Sequence, residues 1–247
     1  MRYFIELSYK GTNYHGWQIQ PNALTIQEIL QKALSALLKN ETEIIGAGRT
    51  DTGVHASYYI AHFDSDSEID INKTAYSLNK MVPYDIAINR IFQVKDEAHS
   101  RFSAISRTYK YYITLKKNPF TLETQTYIWG KLDVDLMNKA CEILFQHIDF
   151  TSFSKLHTDT VTNNCSIIQA YWENGNNELI FTIKADRFLR NMVRAVVGTM
   201  LEVGRGKITL SDFNSIITSK NRSNAGVSAP AQGLFLYYIE YPSTIYI

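Results

Sequence analysis

Apolar and polar positions change period along the chain, and the period assigns the elements. Residues 2–9 alternate and predict a strand. Residues 10–22 are polar, contain Gly11, Gly16 and Pro21, and read as a loop. Thr25 followed three residues later by Glu28 forms a capping box. After it, Ile26, Ile29, Leu30, Ala33, Leu34, Leu37 and Leu38 recur at helical spacing, so an amphipathic helix runs to about Lys39. Runs at 43–45 and 57–63, rich in β-branched and aromatic residues, predict two strands on either side of a glycine-rich loop. A helix over 72–80 and a strand over 86–94 complete the first half.

The second half opens on a strand from Arg107 to Leu115 in which basic and aromatic residues interleave. Tyr109 and Tyr111 share one face of that strand and Lys110 takes the other. Residues 117–131, with Pro119 and Gly130, are a connection, and 133–147 are helical. Segments 166–172 and 179–185 predict a hairpin over an asparagine- and glycine-rich turn. Asp186 is placed to cap a helix running to Val203, with Met192, Val196 and Met200 inward and Gly204 ending it. A short helix from Thr209 and a closing strand over 234–240 follow. Several strands are joined by short turns, which points to an α+β mixed sheet rather than a doubly wound one. Both halves contain strand, helix and further strands, which predicts two related halves, 1–104 and 105–247, facing a shared cleft.

Composition narrows the class. The 247 residues are 45% hydrophobic and 20% charged, enough for one large or two small domains with cores of their own. No apolar run approaches the roughly 18–20 residues of a membrane span. The chain opens on a strand pattern rather than a signal peptide, so a cytoplasmic protein is expected. Cys141 and Cys165 have neither disulfide nor zinc spacing. The net charge of +1 does not announce a nucleic-acid partner. Its distribution says more: residues 1–105 hold 10 Lys/Arg and 12 Asp/Glu, whereas 106–247 hold 15 and 12. The local surplus includes Arg107, Lys110, Lys116, Lys117, Arg187, Arg190 and Arg194. Clustered charge forms an electrostatic footprint even when the total is near zero. A solvated surface is the competing reading, and composition alone favours it.

Candidate chemistry centres on the loop Gly46 to His55. Its glycines permit positive φ and close backbone approach. Asp51 therefore sits on a tight loop at a strand end, where functional groups concentrate. Alternatively, Asp51 only bonds its own backbone in a turn. A dinucleotide fingerprint is excluded, because Asp51 takes the third glycine position and a strand pattern follows. His55 and His62, seven apart on one strand, point to opposite faces, and no metal is expected. A nucleophile elbow and a Walker loop are missing. A glycosidase needs two flanking carboxyl groups, and Asp51 has no evident second. Arginines accompany it instead: Arg49 beside it and Arg194 on the later helix. A carboxylate near arginine stays ionised, which suits a nucleophile or base. Tyr109 is either a core residue or a platform for a base. Tyr14, His15 and Trp17 either stack on a base or pin their loop to the core.

The segment Gly46 to His55 resembles the active-site motif of the tRNA pseudouridine synthase A family. Further segments resemble that family in order: Tyr9 to Gln18, Ala98 to Ala104, Arg107 to Tyr111, Phe150 to Phe153, Phe188 to Arg194 and Gly233 to Leu236. Lys10 and Thr52 depart from the common pattern, which has Asp and Ala there. The resemblance implies a pseudouridine synthase fold, with a central mixed, largely antiparallel sheet, flanking helices and two similar halves around a basic cleft. It implies conversion of uridine to pseudouridine at positions 38, 39 and 40 of the tRNA anticodon stem-loop, by a homodimer that needs no cofactor or metal. Asp51 then matches the catalytic carboxylate, Tyr109 the active-site tyrosine, Arg194 the arginine paired with the carboxylate, and Arg49 the arginine of nucleotide flipping. Leu236, on the closing strand, joins the substrate-binding set. The competing class is a non-catalytic RNA-binding or RNA-folding module, which has no need of Asp51.

Overall fold

A computed structural model describes residues 1–155 and 162–247. In chain order its strands and α-helices are β1 (Arg2–Tyr9), α1 (Ile26–Leu38), β2 (Ile45–Gly46), β3 (His55–Asp64), α2 (Ile71–Met81), β4 (Ile86–Val94), β5 (Ser106–Thr114), β6 (Thr126–Tyr127), α3 (Val134–Leu144), β7 (Ile167–Asn174), β8 (Glu178–Ala185), α4 (Met192–Gly204), α5 (Leu210–Thr218) and β9 (Leu234–Glu240). The chain divides into two compact units, Met1–Ile105 with Leu236–Ile247, and Ser106–Phe235. The architecture is α+β, as the pattern predicts.

In the first unit β1 pairs antiparallel with β3 on one side and β4 on the other. The short β2 pairs with the far end of β3, and β9 adjoins β3. Tyr3, Ile5, Leu7 and Tyr9 alternate along β1 and are all buried. Thr25 caps α1 by accepting the Glu28 amide at 3.4 Å. Only half of the expected capping box forms, because the Glu28 carboxylate pairs with Lys32 at 2.5 Å. Asp70 caps α2 through the Lys73 amide at 2.9 Å.

In the second unit β8 lies between β5 and β7, antiparallel to both, and β6 runs parallel to β5. The core is α4, which carries eleven buried residues between Met192 and Gly204. The helices α3 and α5 pack against it. Asn138 on α3 holds the Trp172 backbone, donating to its carbonyl at 3.2 Å and accepting its amide at 2.8 Å. Both cysteines are free and buried, and burial pushes each thiol up to about 12, so neither is a nucleophile near neutral pH.

Three expectations need correction. The helix α4 starts at Met192, not after Asp186. Asp186 instead accepts the amides of Ser166 and Arg187 at 2.7 Å each, closing the corner beside β7. Gly204 is the last helical residue rather than a left-handed stop. It is small because a Cβ there would lie 2.5 Å from the Met137 sulfur, and the left-handed residue is Gly206 at φ +70°. The strand before the Asp51 loop shrinks to Ile45–Gly46.

His62 on β3 is 1% exposed, and its Nδ1 accepts the Ser100 amide at 3.2 Å. Burial, helped by the charges of Arg2 and His99, lowers its pKa from 6.5 to about 4. The unfolded chain therefore binds a proton between those values that the folded chain refuses. This contribution is fully present above about pH 6.5 and is lost as the pH falls towards 4. Over that window His62 should add a slope of up to roughly 1.4 kcal/mol per pH unit to the unfolding free energy. Urea unfolding from pH 4 to 7 is expected to show a flatter profile for His62→Gln than for the wild type.

Candidate active site

The loop after β2 begins as a continuation of its pairing, with the Ala47 amide donating to Ile60 at 2.9 Å. It ends in a turn that returns the chain to β3, where the Val54 amide donates to the Asp51 carbonyl at 3.1 Å. Gly53, at φ +77°, supplies the positive angle that the third residue of such a turn requires. The three glycines thus do different things. A Cβ on Gly46 would lie 2.2 Å from the Tyr59 hydroxyl and 2.3 Å from the Trp17 indole nitrogen, whereas one on Gly48 would meet nothing. Within this loop Arg49 is exposed and Asp51 is half-buried.

The segment Tyr9 to Trp17 holds that loop from the other side. The Tyr9 hydroxyl lies 2.9 Å from Thr50 Oγ1, in a buried hydrogen bond. The Trp17 amide donates to the Thr50 carbonyl at 3.4 Å, and the Gly53 amide donates to the Tyr14 carbonyl at 3.3 Å. The Gly11 amide donates to His55 Nδ1 at 2.9 Å. That bond fixes His55 as a neutral ring with its proton on Nε2. Tyr14 and Trp17 are each 3% exposed, and Trp17 stacks on Tyr59 with centroids 4.1 Å apart. Of the two readings, pinning to the core holds for Tyr14 and Trp17, whereas His15 is exposed.

In the second unit Tyr109 stands on β5 opposite Ile183 of β8. It is half-buried, and its ring meets Phe188 edge-on with centroids 5.1 Å apart. Tyr111, two residues on, is a core residue. Its hydroxyl donates to the Pro230 carbonyl at 2.8 Å and lies 2.6 Å from Thr126 Oγ1. Burial pushes the Tyr111 phenol well above its usual range, an effect that Thr126 and the nearby Arg194 partly offset.

Arg194 lies in the first turn of α4, half-buried. Its Nε donates to the Ala229 carbonyl at 2.7 Å, and the Ala229 amide returns a bond to the Arg194 carbonyl at 2.9 Å. Residues 225–230 thus form a strap along α4. Gly198 admits it, since a Cβ there would lie 1.9 Å from the Val227 carbonyl oxygen. Asn191 and Arg222 both donate to Ser228 Oγ, at 2.6 and 2.9 Å. The remaining sequence candidate, Leu236, is 3% exposed on β9. The structure therefore brings Arg49 and Asp51 together in one loop of the first unit, which also holds Leu236, and sets Tyr109 and Arg194 in the second. Among the described residues no group of three or more His, Cys, Asp or Glu is placed to hold a metal ion.

Sequence reasoning did not single out Thr50, or the strap at Ala229. The strap carries no motif, but its neighbours Arg194 and Gly198 sit one turn apart on a helix otherwise apolar over this stretch. Gly198→Ala is expected to displace the strap and to cost about 1–3 kcal/mol, as overpacking of a tight contact does. Denaturant unfolding should read this as a lower midpoint.

Comparison with known proteins places these elements in a family. A family model described as tRNA pseudouridine synthase matches residues 7–103 and 140–242. A tRNA pseudouridine synthase A of Bacteroides fragilis is 56% identical over 247 residues, covering 99% of this chain and 98% of the relative. One from Bacteroides thetaiotaomicron is 55% identical over 248 residues, covering 99% and 92%. A more distant one from Thermoanaerobacter is 40% identical over 241 residues, covering 96% and 98%. The match takes in the Asp51 loop, the segment that holds it and the helix bearing Arg194, and the chain belongs to the tRNA pseudouridine synthase family.

Proposed function

We propose that this chain isomerises uridine to pseudouridine in tRNA, at positions 38, 39 and 40 of the anticodon stem-loop, with Asp51 as the reacting carboxylate. The observation that carries the proposal is Asp51 itself: a half-buried carboxylate beside a doubly anchored residue, in a chain whose close relatives are named tRNA pseudouridine synthase A. A protein that only held RNA would gain nothing from a carboxylate facing phosphates.

In this reading the target uridine leaves its stack at a cost of a few kcal/mol. Arg49, exposed on its loop, occupies the vacated space. Tyr109 stacks on the uracil, and Leu236 gives the pocket an apolar floor. Arg194 supplies a guanidinium to the site. The carboxylate then assists scission of the C1′–N1 bond, by attack at C1′ or by taking the C2′ proton. The freed uracil turns, C5 bonds to C1′ as the carboxylate–C1′ bond breaks or the C2′ proton returns, and the C5 proton leaves while N1 takes one up. The product is an isomer of the substrate, the proton lost at C5 being matched by one gained at N1, so no redox or group-transfer cofactor is needed. The active species is a cytoplasmic homodimer, and no helix among the described residues is long and apolar enough to cross a membrane.

Incubation of the protein with an unmodified tRNA transcript, followed by pseudouridine mapping, tests activity and site together. Asp51→Asn and Asp51→Ala are expected to lose activity by a factor on the order of 10²–10⁴ while still binding the transcript. Undiminished activity in either variant overturns the assignment. Arg194→Ala should lose most activity and Arg194→Lys should recover little, because a planar guanidinium is not replaced by a point charge.

A further inference from the structure

A buried phenol, Tyr9, hydrogen-bonds the residue immediately before Asp51. We infer that Tyr9 and Thr50 are positioning residues for the reaction: their hydrogen bond fixes the pivot from which Asp51 is presented. The inference rests on Asp51 being the reacting group.

The geometry isolates Thr50 as that pivot. It lies between exposed Arg49 and half-buried Asp51 and is itself 8% exposed. Its side chain and its carbonyl are both taken, by the Tyr9 hydroxyl at 2.9 Å and by the Trp17 amide at 3.4 Å. Gly16, at φ +83°, seals the contact, because a Cβ there would lie 2.1 Å from the Thr50 carbonyl oxygen. Thr52, on the other side of Asp51, is exposed. The backbone of Asp51 is therefore fixed from its N-terminal side by Thr50, and from its C-terminal side by the turn to Val54.

Tyr9 reaches Thr50 through a defect in the sheet. Leu7 pairs with Tyr59 but Tyr9 pairs with Ala56, so Ser57 and Tyr58 of β3 oppose Ser8 alone. Such a bulge bends its strand and re-aims the side chains beside it. Tyr9 is 4% exposed and packs beside the stacked pair of Trp17 and Tyr59, with ring centroids 6.4 and 5.6 Å away. Its ring is locked by packing, so its hydroxyl is a fixed point. For a reaction whose barrier depends on placing a carboxylate against one carbon or one proton, a displacement near 1 Å costs up to a hundredfold in rate. A hydrogen bond that removes such freedom acts on kcat, and it leaves the surfaces that bind the tRNA body untouched.

The test is a double-mutant cycle on the full-length protein with Tyr9→Phe, Thr50→Val and both together, with Thr50→Ser as the conservative control. Pseudouridine formation on a tRNA transcript is measured well below each variant's melting temperature, and rates are expressed per folded molecule from circular dichroism. Tyr9→Phe and Thr50→Val are each expected to lower kcat about tenfold or more, with KM within about twofold of the wild type. The double variant should be no slower than the slower single one, and Thr50→Ser should restore most of the rate. Unchanged kcat per folded molecule in both single variants overturns the inference, as does a double variant whose losses multiply. A variant that melts too low to assay counts as a structural role and also overturns it. Asp51→Asn in the same assay separates the two claims. If it is inactive while Tyr9→Phe and Thr50→Val are not impaired, only the positioning role fails; if it is active, the underlying reading fails first.

Discussion

At three places a backbone carbonyl lies where a β-carbon would have to be. Carbons added at Gly11, Gly16 and Gly198 would lie 2.0, 2.1 and 1.9 Å from the carbonyl oxygens of Val54, Thr50 and Val227. These distances are far inside van der Waals contact, so only glycine lets main chain rest on main chain there. The first two contacts let residues 10–17 lie against the Asp51 loop, and the third lets residues 225–230 lie along α4. Each unit thus uses the same means. A segment with no regular structure is brought within hydrogen-bonding distance of the element carrying a candidate functional residue. Glycine costs up to about 1 kcal/mol in chain entropy. The hydrogen bonds that close approach permits contribute about 0.5–1.5 kcal/mol each, and each contact has several.

The bonds so formed also decide the state of the buried polar groups. His55 is fully buried, and its Nδ1 takes the Gly11 amide, so its tautomer follows from backbone placement. His62, on the same strand, answers to Ser100 in a different environment and is driven towards neutrality by burial. In the second unit Arg194 and Tyr111 grip consecutive carbonyls, Ala229 and Pro230. The strap therefore receives two side-chain donors at its end and returns two amides to the helix, Ala229 to the Arg194 carbonyl and Gly226 to Thr199 Oγ1. Buried polar groups that are fully partnered specify one arrangement, because any other leaves a donor or acceptor bare.

Much of this was legible in residue order, and the exceptions have physical causes. The strands over 86–94 and 234–240 match β4 and β9 residue for residue, because their apolar pattern is set by one buried face. The cap at Thr25 was likewise legible, since capping is a local exchange between near neighbours, and helices begin at Asp133 and Thr209 as expected, both of which prove to be caps. The start of α4 was not. Phe188 and Leu189 continue the helical spacing, yet the corner bonds of Asp186 and the left-handed Asn191, at φ 66°, hold that stretch out of the helix. Asp51 was legible as a residue on a tight turn, and the turn is there. What a single sequence could not supply is the partner segment. The bond from Tyr9 to Thr50 spans 41 residues, and Arg194 reaches Ala229 across 35. Neither leaves a periodic trace, and only the glycines hint that backbone passes close by.

The contrast between Arg49 and Asp51 follows from the same constraint. Two residues apart, they flank Thr50, which is held through both its side chain and its carbonyl. Motion of the loop is therefore filtered. A long arginine side chain extending from the solvent side keeps its rotamer freedom, about 2 kcal/mol of entropy in the free state. A short carboxylate with two torsions, rooted between a pinned residue and a closed turn, keeps little. In the proposed reaction these are the properties the two groups need. The group that follows a nucleotide out of its stack must sample space, and the group that meets the sugar carbon must already be in place before the base arrives. A single pinned residue between them serves both requirements, because what it immobilises is the main chain, and the main chain limits a short side chain far more than a long one.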